Sequence, residues 1–324
     1  MDEERSYLPN QGEEKKKKRN KFFDAFFYGN KVEDSLDDDI DESRGLKNYF
    51  KILGRYFGRI FTLNIYSVLG NFPVFFIMLA LSENLHLQST EPSSTLFGPL
   101  YGAINLGASD PVTSALFGIF GTQTNVSIWT PWAWGFLIAG ILMLLITFGP
   151  VNAGVTYNMR NIVKREPLFL WDDFKNTIKR NLKQSIIIGI MDLGIIFLLC
   201  YNIYFYYLNI GTYIFNVFFW FTLVMLVFYT FIRSYIYLLL VTFELSIFKI
   251  FKNALIFSLL GFGRNILALL GCAFIIAFNY ALMSVYMPLG IILPFVITIA
   301  LCLYTTVYTA WPKISKLMIE PYQN

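Results

Sequence analysis

Residues 148–185 read FGPVNAGVTYNMRNIVKREPLFLWDDFKNTIKRNLKQS. An apolar run about as long as a bilayer is thick stops at Gly149-Pro150. Seven cationic residues follow (Arg160, Lys164, Arg165, Lys175, Lys179, Arg180 and Lys183), and a second apolar run begins at once. A basic, aromatic segment between two such runs is the mark of a loop that fixes the orientation of a membrane hairpin.

The composition agrees. Of 324 residues, 56% are apolar, 18% aromatic and 15% charged, and the mean hydropathy is +0.52. A soluble domain carries roughly 25% charge, so the solvent expected here is lipid. Six runs have the length of a crossing: 60–81, 134–151, 185–208, 213–240, 265–283 and 289–311. Cationic residues alternate with them. Of the 26 Lys/Arg, 13 precede the first run, while the connections 82–133, 209–212 and 284–288 carry none. By the positive-inside rule both termini are then cytoplasmic. The expected fold is an all-α polytopic integral membrane protein. It has six transmembrane helices in three hairpin-like units, each led in by an amphipathic cytoplasmic helix.

Three segments refine this reading. Residues 1–45 form a charged tail, and 46–324 the membrane domain. The acidic stretch VEDSLDDDIDE in the tail lacks the glycine and closing glutamate of a calcium loop, so it reads as a solvated linker. Over 168–184, Trp171, Phe174, Ile178 and Leu182 recur at helical steps, with Asp172 and Asp173 in the first turn. This predicts a short helix lying on the inner membrane surface, its basic side chains reaching anionic lipid headgroups. Gly149-Pro150 is expected to break or kink the second span and turn the chain onto that helix. The extracytoplasmic insertion 82–133 contains the single histidine, His86, and reads as a lid, a re-entrant segment or a poorly ordered loop. The cysteines Cys200, Cys272 and Cys302 all fall in apolar runs and are expected to be small buried hydrophobes.

The clearest internal similarity has an offset of 72 residues. It sets Arg180-Asn181 over Lys252-Asn253, Gly189 over Gly261 and Asp192 over Arg264, and Tyr157–Arg160 nearly matches Tyr229–Arg233. Asp192 is the one acid well inside a span, and a carboxylate there calls for a partner. Its depth from the hairpin end lies within roughly 5 Å of that of Arg264. An ion pair Asp192–Arg264 is therefore expected, with Arg160 or Arg233 from neighbouring spans as alternatives.

No phosphate-binding Gly-rich loop, HExxH, CxxC or GxSxG is present. One histidine cannot supply a conventional base or metal cluster. The sequence therefore predicts no enzyme, no cofactor, no metal site and no nucleic-acid partner.

LNIYSVLGNFP, GPVNAGVTYNMRN, FLWDDFKNTIKRNLKQS and FKNALIFSLLGFGRNILALL together resemble the YesL-like family, bacterial multi-pass proteins that carry a domain of unknown function. Positions matching its motif are Asn64, Pro73, Gly149, Pro150, Gly154, Arg160, Trp171, Asp173, Phe174 and Asn181. The resemblance implies a bacterial cell membrane and a setting beside carbohydrate ABC transporters. The function it suggests is a non-enzymatic accessory role, docking transporter subunits through residues 168–184. The alternative is a small solute transporter or channel that uses Asp192.

Overall fold

The computed structural model describes residues 45–107 and 110–322. The charged tail, apart from Gly45, lies outside the described residues. Among the described residues the chain is helical apart from short connections and one two-stranded ribbon. It opens with α1 (Leu46–Arg55), α2 (Phe57–Gly70) and α3 (Pro73–Leu81). The ribbon strands β1 (His86–Pro92) and β2 (Gln123–Trp129) flank α4 (Phe97–Asn105) and α5 (Pro111–Phe120). The long helices α6 (Pro131–Lys164), α7 (Leu170–Leu208) and α8 (Tyr213–Thr242) follow. The chain continues with α9 (Ile247–Leu260), α10 (Phe262–Val285) and α11 (Met287–Ile319).

Helices α6, α7, α8, α10 and α11 are long and apolar enough to cross a membrane. The pair α2–α3, bent by 59°, makes a sixth crossing when counted as one. This is an all-α polytopic membrane protein.

Helix α6 is the hub, packing against α2, α3, α7, α8 and α11. Buried packing is concentrated in one half of the bundle, the basic end, where the α6–α7 turn lies. Every buried residue of α7 falls at or before Asp192, and most of those in α6 fall at or after Gly149. Towards the opposite hairpin end, Phe197, Leu198, Tyr201 and Trp220 are exposed. In a bilayer such side chains meet lipid, so their exposure carries no hydrophobic penalty.

Two expectations at the opening stretch are corrected. Helix α6 runs unbroken through Gly149-Pro150 and ends fourteen residues later, at Lys164. Arg165, at φ 60°, closes it in the left-handed region, with the Glu166 N–H bonded to the Asn161 carbonyl. Gly149 serves a crossing instead. An added Cβ there would sit 1.8 Å from the Ser185 carbonyl oxygen and 3.0 Å from Gly189 Cα, so α6 and α7 touch backbone to backbone. Nor is 168–184 a separate surface helix, because it is the first part of the 39-residue α7. Its apolar stripe packs on protein rather than lipid. Trp171 and Phe174 lie against Tyr66 (ring centroids 5.6 and 5.3 Å), and Phe174 covers Gly154. Only Leu182 of the stripe is exposed.

The insertion 82–133 is ordered by an antiparallel register from His86↔Trp129 to Pro92↔Gln123, with α4 and α5 at its tip. His86 clamps its base. Nε2–H donates to the Ala80 carbonyl, which leaves Nδ1 to accept from the Ser127 hydroxyl, and the ring lies 4.6 Å from Trp129. Among the cysteines, Cys200 is exposed rather than buried, and Cys272 and Cys302 are half-buried.

Candidate functional site

The chemistry-bearing residues gather at three places: a charged cluster inside the bundle, a cavity beside it, and a groove at the basic end.

Asp192 is fully buried on α7, at the depth where the tight half of the bundle gives way to the open half. It pairs with Arg233 of α8, Nε to Oδ2 at 2.8 Å and to Oδ1 at 3.1 Å. Tyr229 Oη donates to Oδ1 and Tyr237 Oη to Oδ2, each at 2.8 Å. Both oxygens thus accept two hydrogen bonds, the condition for holding a carboxylate in a low-dielectric interior. The expected partner Arg264 is not there. It sits exposed in the first turn of α10. The reason is packing: α8 lies along α7, whereas α10 packs mainly on α11. Tyr229, Arg233 and Tyr237 follow one another at four-residue steps on a single face of α8. That spacing is legible in the sequence, but it becomes informative only once α8 is known to pack on α7.

Beside the pair lies a cavity of about 760 Å³ between α2, α3, α6, α8 and α11. Arg233 lines it, with 34% of its side chain open, whereas Asp192 is closed off behind.

At the basic end the motif residues build the α6–α7 hairpin and its neighbours. The buried Arg160 donates from Nη1 to the Val241 carbonyl and to the Thr242 hydroxyl, both at 3.0 Å, so a cation caps the C-terminus of α8. Its guanidinium stacks over Tyr157 at 4.5 Å. Asp173 Oδ2 accepts from the Phe169 N–H at 2.9 Å, tying down the start of α7. Asn181 bonds its own helix at the Thr177 carbonyl. Lys164 pairs with Glu166 beside the turn.

Asn64 and Pro73 belong elsewhere. Pro73 is the first residue of α3, just past the 59° bend. Asn64 inserts its amide into α11, donating to the Pro294 and Phe295 carbonyls (3.1 and 2.7 Å) and accepting from the Ala300 N–H at 2.8 Å. Helix α11 widens to a π-turn over Pro294–Thr298 at this point. The asparagine thus bonds the backbone at the point where the helical ladder changes pitch.

A groove of about 820 Å³ runs between residues 179–184 of α7 and 240–246, which span the α8–α9 connection. Lys179, Arg180 and Lys183 line it and are exposed, and Gln184 spans it by donating to the Leu245 carbonyl.

Residues 128–203 match the model of a family described as "Protein of unknown function, DUF624". This agrees with the resemblance drawn from the motifs. The match covers α6 and most of α7, including Gly149, Pro150, Gly154, Arg160, Trp171, Asp173, Phe174 and Asn181, but not Asn64 or Pro73. No curated protein and no solved structure matches the chain.

Proposed function

We propose that this membrane protein, with a DUF624 segment across its central α6–α7 hairpin, is a non-enzymatic accessory component of a carbohydrate ABC-type importer. It sits in a bacterial cell membrane with its basic end in the cytoplasm. The observation that carries the reading is the exposed groove at that end, where Lys179, Arg180 and Lys183 present three cations on a rigid helix. A 39-residue helix is about 58 Å long, against roughly 40–45 Å for a bilayer with its headgroups. The first turns of α7 therefore stand clear of the membrane, and the three cations lie at headgroup level. An acidic segment of a transporter subunit fits such a groove, and anionic lipids surround it.

The buried acid supports this reading over the rival one. Each Asp192 oxygen already accepts two bonds, so it is poorly placed to handle a passing solute or proton. His86, the only histidine, is committed to clamping the ribbon.

The test is affinity purification of the full chain from its native membrane. Importer subunits are expected to accompany the unaltered protein and to be lost from a K179E/R180E/K183E variant that still inserts. Recovery of the protein free of any importer subunit would refute the proposal.

A further inference from the structure

The cavity between α2, α3, α6, α8 and α11 is a ligand site by its own chemistry. Of the residues that line it, Arg233 alone is charged. Arg233 meets Asp192 only through Nε, and its two Nη groups have no acceptor among the described residues. The planar fork of a guanidinium is thus half used, on a side chain that lines an open volume of about 760 Å³. The pair is neutral as a whole, but Asp192 is fully buried and does not line the cavity, so of the two partners the cavity meets the cation alone.

The polar groups around the fork leave it little competition. Thr230, Ser234 and Thr306 donate their hydroxyls to carbonyls of their own helices, and Asn71 Nδ2 does the same to Ser67. What they offer the cavity are acceptors, and Asn71 Oδ1 is buried with no partner. Most of the remaining wall is hydrocarbon or aromatic, including Val74, Phe75, Met78, Leu144 and Phe295. A lone cationic donor fork, an unanswered acceptor and a long apolar wall describe a complement. It carries an acid group and a hydrocarbon chain, and a hydroxyl on a phospholipid headgroup would also answer Asn71.

We infer that this cavity binds an anionic amphiphile, its carboxylate or phosphate on the free edge of Arg233 and its hydrocarbon chain along α3 and α11. The inference is independent of the basic groove and of any importer partner. It makes Arg233, not Asp192, the residue that touches ligand, with Asp192, Tyr229 and Tyr237 positioning it.

The acid could come from a bilayer phospholipid or from a free fatty acid, and one experiment separates them. The purified full chain in maltoside micelles is titrated with dioleoylphosphatidylglycerol, with oleate, and with dioleoylglycerol, which keeps chains and a hydroxyl but has no acid. Binding is read by thermal stabilisation and by retained radiolabelled lipid. Saturable binding of one or both acids is expected, at least roughly tenfold tighter than dioleoylglycerol, as a charge-assisted guanidinium contact requires. Preference for phosphatidylglycerol would identify a membrane lipid, and preference for oleate a free acid. The double variant D192N/R233M removes both charges together and so leaves no uncompensated buried ion. It is expected to fold and to bind all three alike. Equal binding of dioleoylglycerol by the unaltered protein, or acid preference surviving in the double variant, would overturn the inference.

Discussion

Replacing Gly149 with alanine tests the helix crossing on which the bundle is built. The new Cβ would stand 1.8 Å from the Ser185 carbonyl oxygen, 2.7 Å from the Ser185 carbonyl carbon and 3.0 Å from Gly189 Cα. An ordinary carbon–oxygen contact is about 3.3 Å, so α6 and α7 must part by about 1.5 Å. These three nearest atoms are all backbone and cannot rotate aside. The cost therefore belongs near the top of the range for overpacking, about 3 kcal/mol. Against it stands a gain of about 0.5–1 kcal/mol for removing a mid-helix glycine. The net loss is about 2 kcal/mol. Thermal unfolding of the purified full chain in detergent measures it. Gly194→Ala, five residues beyond Gly189 with nothing within 4 Å of the added Cβ, reports the propensity gain alone. Gly149→Ala should unfold several degrees below the unaltered protein, and Gly194→Ala at or slightly above it. The double variant G149A/G189A should lose less than the two single losses added together, because helices parted once admit the second methyl. If Gly149→Ala unfolds together with Gly194→Ala, the backbone contact does not exist and the reasoning fails.

Other outcomes follow from the same geometry. Asn64→Leu strips three hydrogen bonds from the π-turn of α11 and should cost about 2–4 kcal/mol in the same unfolding assay. Arg160→Ala uncaps α8, and amide hydrogen exchange should speed up over residues 239–246 while the middle of α8 keeps its protection. Asp192→Asn leaves the Arg233 cation without its counter-charge and should destabilise by about 3 kcal/mol, with most of that recovered on adding Arg233→Met. A topology reporter placed at Ser94, in the ribbon-and-helix insertion, should read out on the side opposite one fused after residue 319, and both on one side would contradict the proposed orientation.

Much of the architecture follows from chain composition. Lipid imposes runs of about 20 apolar residues, and runs and cationic residues are both countable along a chain. That is why the helical, polytopic class was legible, and why the ends of α8 and α10 fall within three residues of the expected spans. Asp192 stood out for the same reason, as an acid where water is absent.

What the sequence could not settle were pairwise relations between helices. Gly149-Pro150 has one local meaning, a helix breaker, and another in the fold, a place where two backbones meet. Only the position of Ser185 and Gly189 across the gap decides between them. The stripe Trp171–Phe174–Ile178 has the period of a face that seeks apolar surroundings. Lipid and protein satisfy that period equally, and the choice falls to Tyr66 and Gly154. Depth along a helix favoured Arg264 for Asp192, with Arg160 and Arg233 as alternatives on neighbouring spans, but pairing also needs the two faces to turn towards each other. That rotation is set by which helix packs on α7, a property of the assembled bundle and of no single segment.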